Sequence, residues 1–259
     1  MNRKEILNNI LNEEERLFAA KAIDKMELSK KIYSPAFTEF TDPFKAHYIK
    51  NLLLNNGCEI EIYGGYNESE RVKIGFFDEF SKVDLNDFPI SAVEISYNRQ
   101  YSRELTHRDF LGSVLGLGIV REKTGDIVIE ENRGIIFVDS DIADYIVFNL
   151  ERVGHTKVKT RIIENYKPKM KDAVSKNITV SSLRLDSVTG GALNLSRGKT
   201  VDHIKGEKVF VNWKKETSAS FPVKEGDVIT LRGVGRVKIN EVIGNTKKDR
   251  VLINISIYK

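Results

Sequence analysis

Between residues 3 and 31 apolar side chains return at helical spacing, as Ile6, Leu7, Ile10, Leu11, Leu17, Phe18, Ala22 and Met26. That period predicts helix. Ser34-Pro35 and Asp42-Pro43 break the pattern, and Ala46–Leu54 reads as a further helix that stops before Asn56-Gly57. Strand-like segments follow at Glu59–Tyr63 and Arg71–Phe77, on either side of Gly64-Gly65-Tyr66-Asn67, which is a hairpin signal. Residues 1–88 are thus expected to form a unit of helices plus a hairpin, closed by Asp87-Phe88-Pro89.

Residues 89–165 read as strand (Ala92–Ser96), helix (Arg108–Leu117), strand (Asp126–Glu130), strand (Gly134–Val138), helix (Ser140–Val153) and strand (Lys157–Ile163). The order β-α-β-β-α-β is that of ferredoxin-like domains, shared by the RRM. The fourth element, Gly134-Ile135-Ile136-Phe137-Val138, lacks the paired aromatics on which an RRM stacks bases. Lys73-Ile74-Gly75-Phe76-Phe77 imitates them better but falls in the preceding unit. The order of elements alone therefore confers no base-stacking role. Residues 166–179, lysine-rich and interrupted by Pro168, read as a basic linker. A third unit, 180–259, begins with two helices and continues with strands around 208–213, 220–223, 227–232, 235–243 and 250–257. The expected class is α+β.

Charge divides the chain unevenly. Residues 1–151 hold 18 Lys and Arg against 27 Asp and Glu, a net −9, whereas residues 152–259 hold 23 against 10, a net +13. A basic half joined to an acidic one points to a polyanionic partner at one end. Apolar content of 41% supports a packed core, and no apolar run approaches the ~20 residues that span a bilayer. The polar N-terminal segment does not read as a secretory signal, so the expected compartment is the cytoplasm, with no membrane insertion. One cysteine, Cys58, excludes an internal disulfide framework, and histidines at 47, 107, 155 and 203 lack metal-ligand spacing. No metal or cofactor is expected, and the chain is expected to be a monomer.

Cations near helix starts are the candidate chemistry. In the third unit Leu185, Val188 and Ala192 form one apolar stripe, with Val201 and Ile204 in the next helix, leaving Arg184, Arg197 and Lys199 outside. Ser196 suits an N-cap, which puts Arg197 and Lys199 in a first turn, where their charge opposes the helix dipole unless an anion binds. Asn212-Trp213-Lys214-Lys215 sets a tryptophan beside two lysines, either as a stacking platform or as a core plug. Arg232 and Arg236 flank glycines that would let RNA approach the backbone closely. A second basic cluster, Arg103, His107, Arg108, Arg121 and Lys123, stands out in the acidic half, with Thr106 able to cap the helix there. No P-loop or dinucleotide-binding glycine pattern is present, because Gly112, Gly116 and Gly118 lack the GxGxxG spacing.

Ser182-Leu183-Arg184-Leu185-Asp186, Leu193-Asn194-Leu195-Ser196-Arg197-Gly198-Lys199 and Val209-Phe210-Val211-Asn212-Trp213 come in the order of the S4 RNA-binding domain, which they resemble. Many S4 helices end in a glycine just before the Val-x-Val strand, whereas here Gly206 stands one position early and Glu207-Lys208 follow. Arg184-Leu185-Asp186-Ser187-Val188-Thr189 also resembles the RLD-x-x-T segment in which pseudouridine synthases carry a nucleophilic aspartate. The 73 residues after Asp186 are too few for the rest of such a catalytic domain, so a non-enzymatic role is expected. Leu105-Thr106-His107-Arg108-Asp109-Phe110-Leu111-Gly112, the following Gly116–Asp126 segment and Ala192–Arg197 are similar to segments of the YlmH family of bacterial S4-domain proteins. That resemblance implies binding to structured RNA (rRNA and tRNA) on the large ribosomal subunit, holding peptidyl-tRNA during ribosome-associated quality control. An alternative partner is a cell-division protein docked by the acidic N-terminal half.

Overall fold

The helical period of the first thirty residues produces two helices, α1 (Arg3–Asn8) and α2 (Glu13–Ile32). Asn12 separates them because its side chain N-caps α2, accepting the Glu15 N–H at 3.0 Å, and Glu13, Glu14 and Glu15 sit where the helix dipole favours them. The computed structural model describes residues 3–8, 10, 12–54, 57–67, 69–168, 174–246 and 249–258. After β1 (Ala36–Phe37), α3 (Pro43–Leu52) starts on an Asp42 N-cap with Pro43 in its first turn. The hairpin β2 (Glu59–Tyr63) and β3 (Lys73–Phe77) completes an antiparallel sheet of order β1-β3-β2. Asn56, expected to end the third helix, lies outside the described residues.

Next come β4 (Ile90–Ser96), α4 (His107–Leu115), β5 (Thr124–Glu130), β6 (Arg133–Asp139) and α5 (Ser140–Asn149). A small hairpin, β7 (Arg152–Val153) and β8 (Thr156–Lys157), precedes β9 (Lys159–Ile163). Helix α5 was expected to run to Val153; it stops at Leu150, and Gly154 (φ 58) turns the chain in the left-handed region that glycine favours. The sheet order is β5-β6-β4-β9, every pairing antiparallel. One face of this sheet packs Val93, Ile95, Ile136 and Val138 with Phe110, Val114 and Ile146 of α4 and α5.

The other face does not stand open. Phe137 of β6 lies between Tyr66, from the loop after β2, and Tyr166, with ring centroids 5.1 and 6.1 Å away. Asp126 accepts hydrogen bonds from Tyr66 Oη (2.6 Å) and the Glu70 N–H (2.7 Å). Arg71 just ahead of β3 donates to the carbonyls of Thr124 (2.8 Å), Phe40 and Arg121 (both 3.1 Å). Residues 1–88 and 89–165, read from sequence as separate units, are stitched by these contacts into one, spanning 1–168.

The second unit, residues 169–259, holds β10 (Val174–Val180), α6 (Leu185–Leu193), α7 (Arg197–Lys205), β11 (Val209–Val211) and β12 (Lys214–Lys215). It closes with β13 (Val228–Leu231), β14 (Gly235–Asn245) and β15 (Val251–Tyr258), in a six-stranded antiparallel sheet of order β10-β15-β14-β13-β11-β12. Residues 174–179, expected as linker, are strand, while 169–173 of that segment lie outside the described residues. Lysine content had masked a period-two pattern in which Lys176, Ile178 and Val180 turn toward the helices while Ser175, Asn177 and Thr179 turn away. The strand expected at 220–223 is an isolated bridge, Arg184 to Pro222, since Pro222 brings no N–H to a ladder.

Helices α6 and α7 cover one face of this sheet. Ile229, Leu231, Val237, Ile239, Ile253 and Ile255 bury against Leu185, Val188, Ala192 and Ile204. The two helices approach closely at Gly190, where a Cβ would meet Thr200 Oγ1 at 3.1 Å and the Leu195 carbonyl at 3.2 Å. Helix α7 ends unusually. Gly206 keeps a negative φ (−77) and Glu207 takes the left-handed turn (φ 57), with the Lys208 N–H closing back on the His203 carbonyl at 3.0 Å.

Candidate nucleic-acid interface

Asp186, in the first turn of α6, organises the cations around it. Its Oδ1 accepts from Arg184 Nε at 3.0 Å and from the Ser187 N–H at 2.9 Å. Its Oδ2 accepts from Arg184 Nη2 at 3.1 Å and lies 3.5 Å from Arg197 Nη2. The Asp186 side chain is 2% exposed, whereas those of Arg184 and Arg197 are 41% and 80% exposed. Burial works against its ionisation, but the Arg184 hydrogen bonds, the two guanidinium charges and the Ser187 N–H outweigh it and hold the carboxyl below its usual value. The same pairing raises Arg184 further. A carboxylate so engaged is an anchor for two arginines.

These residues line an open cleft of about 330 Å³. Arg250, at the start of β15, joins them from the far end of the sequence and donates to the Thr179 carbonyl at 2.9 Å. Ser181 and Ser187 share a hydroxyl contact of 3.0 Å, and Gly190 and Gly191 keep the floor low. Three guanidinium groups against one carboxylate leave the cleft net cationic. Ser196 caps α7 by accepting the Lys199 N–H at 3.4 Å, so the exposed Arg197 and Lys199 occupy the first turn. An anion there would meet side-chain cations and first-turn N–H groups together. Arg250 was missed in the sequence because strand pairing alone, and no local motif, brings it beside α6.

The remaining expected residues of this unit lie elsewhere. Asn212 (φ 48) and Trp213 (φ 63) form the two-residue turn between β11 and β12. Asn212 is held internally: Nδ2 donates to Asp227 at 2.9 Å and Oδ1 accepts the Val228 N–H at 2.9 Å. Trp213 sits half-buried at the tip and is not a core plug. Lys214 and Lys215 are exposed, with Lys215 2.7 Å from Glu207. The Arg232 guanidinium carbon lies 4.4 Å over the Phe210 ring centre, a cation–π contact, and Arg236 occupies the same sheet face, opposite Thr230 and Tyr258.

The basic cluster of the first unit is largely absorbed by internal partners. Arg103 makes a two-pronged pair with Asp109 (2.6 and 3.0 Å). Asp109 also accepts from the Thr106 N–H and hydroxyl (both 2.8 Å), and these bonds, Arg103's foremost, hold its carboxyl well below the usual range. Arg121 donates to Thr124 and Gly125 oxygens, and desolvation lowers its pKa. Burial also opposes the charge on Lys123, but Asp141 (2.8 Å), Asp139 (3.2 Å) and Glu39 (3.6 Å) raise its pKa above the ordinary value. His107 and Arg108 stay exposed at the start of α4, with desolvation and then the Arg121 charge lowering the imidazole. Among the described residues, no cluster of His, Cys, Asp or Glu could hold a metal ion, and no helix is long and apolar enough to cross a membrane.

Fold and cleft together define an α+β protein with a cationic, serine-rimmed recess on its second unit. Residues 84–167 match the family model described as "Putative RNA-binding domain in YlmH". The chain is 31% identical over 239 residues, 92% of its length and 93% of the relative's, to "Ribosome-associated protein quality control protein P2" of Bacillus subtilis (strain 168). Its structure matches "Cell division protein ylmH from Streptococcus pneumoniae" with a TM-score of 0.51 and 27% identity, covering 60% of this chain and 94% of that one. The chain belongs to the YlmH family.

Proposed function

We propose that this chain is a non-enzymatic, ribosome-associated RNA-binding protein. It grips structured RNA through the Arg184–Arg197–Arg250 cleft, and its ligands are rRNA and tRNA on the large subunit, where it stabilises peptidyl-tRNA during quality control. The carrying observation is the cleft itself: three arginines oriented by one buried aspartate and by the Thr179 carbonyl, beside the first turn of α7. Preset guanidinium planes suit bidentate contact with phosphate. The second unit reads as an S4 module and the β5-β6-β4-β9 sheet as ferredoxin-like, both acting in the cytoplasm. The Bacillus subtilis relative's name supports the quality-control assignment, and the family model's description supports RNA binding.

The sheet that the family model covers has its outer face occupied by Tyr66 and Tyr166 on Phe137, and Glu94 there binds Arg133 and Arg161. Within the expected basic cluster of that unit, RNA contact is assigned to the exposed Arg108 and His107. Asp186 is read as an anchor, which favours a binder over a pseudouridine synthase. The test is co-sedimentation with large ribosomal subunits, with and without RNase. Arg197→Glu with Arg250→Glu should abolish RNase-sensitive binding while the chain stays folded. Undiminished sedimentation would overturn the assignment of the cleft.

A further inference from the structure

We propose that the helix-free face of the six-stranded sheet in the second unit is a separate site for single-stranded RNA. The proposal rests on the RNA reading above but uses a different surface. Strand alternation sorts the side chains: Ile253, Ile255, Ile257, Val237 and Ile239 point to the helices, so Asn254, Ser256, Tyr258, Lys238 and Arg236 point away. The register aligns them in rows across the strands. One row runs Lys215, Phe210, Thr230, Arg236 and Tyr258 over β12, β11, β13, β14 and β15. At about 4.8 Å per strand, that row is roughly 19 Å long.

The chemistry of the rows is that of a nucleic-acid platform. The Arg232 guanidinium carbon sits 4.4 Å from the centre of the Phe210 ring and the residue is itself exposed, which puts a cation within reach of a base or phosphate on this face. Exposed Lys238 follows on β14. Beyond it Asn240, Asn254 and Asn177 form an amide ladder: Asn254 donates to Asn177 and Asn240 donates to Asn254, each at 2.7 Å. Asn240 also donates to the Ser256 hydroxyl at 2.9 Å. Such amides and hydroxyls present donors and acceptors to base edges and ribose. The first row carries Arg236 and Lys215, the latter paired with Glu207 at 2.7 Å, with exposed Arg232 and Lys238 beside it, and Glu241, opposite Asn254, stands at the other end of the face. Charge complementarity thus selects a polyanion. An open sheet face selects unpaired bases, because the A-form helix hides base edges in a narrow groove.

The experiment uses the full chain and two fluorescent probes, an oligouridylate of about ten nucleotides, within the ~4–16 typical of such surfaces, and a structured RNA hairpin. Arg232→Glu with Lys238→Glu should weaken the oligouridylate about tenfold or more and lower its salt slope by ~0.7 per lost phosphate contact. Hairpin affinity should stay within about twofold, which also shows the variant is folded. Arg197→Glu should do the reverse. Unchanged oligouridylate binding in the sheet variant overturns the proposal, and so does an equal loss on both probes. Displacement of the oligouridylate by polyglutamate, dependent on Arg232 and Lys238, would also overturn it in favour of an acidic protein partner. Failure of the wild-type chain to bind either probe would instead remove the RNA reading on which it rests.

Discussion

Replacing Asp186 with Asn tests the cleft most directly, because the change keeps shape and removes charge. Asp186 is 2% exposed and holds four contacts, two from Arg184, one from the Ser187 N–H and one from Arg197. Charge-assisted hydrogen bonds contribute about 1.5–3 kcal/mol each when buried, but both arginines reach solvent, which screens them. A net loss of about 2 kcal/mol for the second unit follows. With a urea slope of roughly 1 kcal/mol/M for a unit this small, the midpoint should fall by about 2 M.

The pH dependence follows from the depressed carboxyl. Its folded-state pKa lies below the unfolded value of about 3.9, so its contribution is complete above that value and is lost as pH falls through the folded-state pKa. Asn has no such term. The gap between the two proteins should be constant from about pH 7 to pH 5 and close in stronger acid. Urea denaturation followed by circular dichroism across that range is the assay. A gap below about 0.5 kcal/mol at neutral pH, or one of constant size into strong acid, refutes the anchoring role. In cells, loss of a specific pseudouridine in the variant would overturn the non-enzymatic reading.

Three further outcomes are expected. Lys73, with a 2% exposed side chain 2.6 Å from Asp139, should cost about 2 kcal/mol when changed to Met, since Lys123 at 3.2 Å still faces Asp139, and adding Asp139→Leu should recover only part of it, as a denaturation double-mutant cycle would show. Glu207→Gly should raise the second unit's stability by about 0.5 kcal/mol, measured by urea midpoint, since glycine accepts φ 57 without the αL penalty and the exposed pair with Lys215 contributes little. Arg121→Ala should destabilise the first unit by about 1 kcal/mol by removing the donor to the Gly125 carbonyl and the Thr124 hydroxyl, the Thr124 carbonyl keeping Arg71, while Arg108→Ala should leave thermal stability unchanged.

Local pattern alone determined the α+β class, most of the helices and strands and the N-cap Ser196, all of which answer to short-range spacing and capping chemistry. Arg184, Arg197 and Lys199 were legible as off-stripe cations because a helix fixes its faces by its period. What sequence could not supply was long-range pairing. Arg250 meets Asp186's neighbours only because β15 pairs with β10, and Arg103, Arg121 and Lys123 looked available until the fold set carboxylates and carbonyls against them. Strand β10 is not legible in the sequence because the lysines around Pro168 blur its alternation, and an edge strand half exposed to water carries the weakest hydrophobic signal in a sheet. The two cationic surfaces of the second unit follow from the same cause: Arg184 and Arg197 stand at helix starts, whereas strand pairing carries Arg236 and Lys238 on the sheet face turned away from those helices.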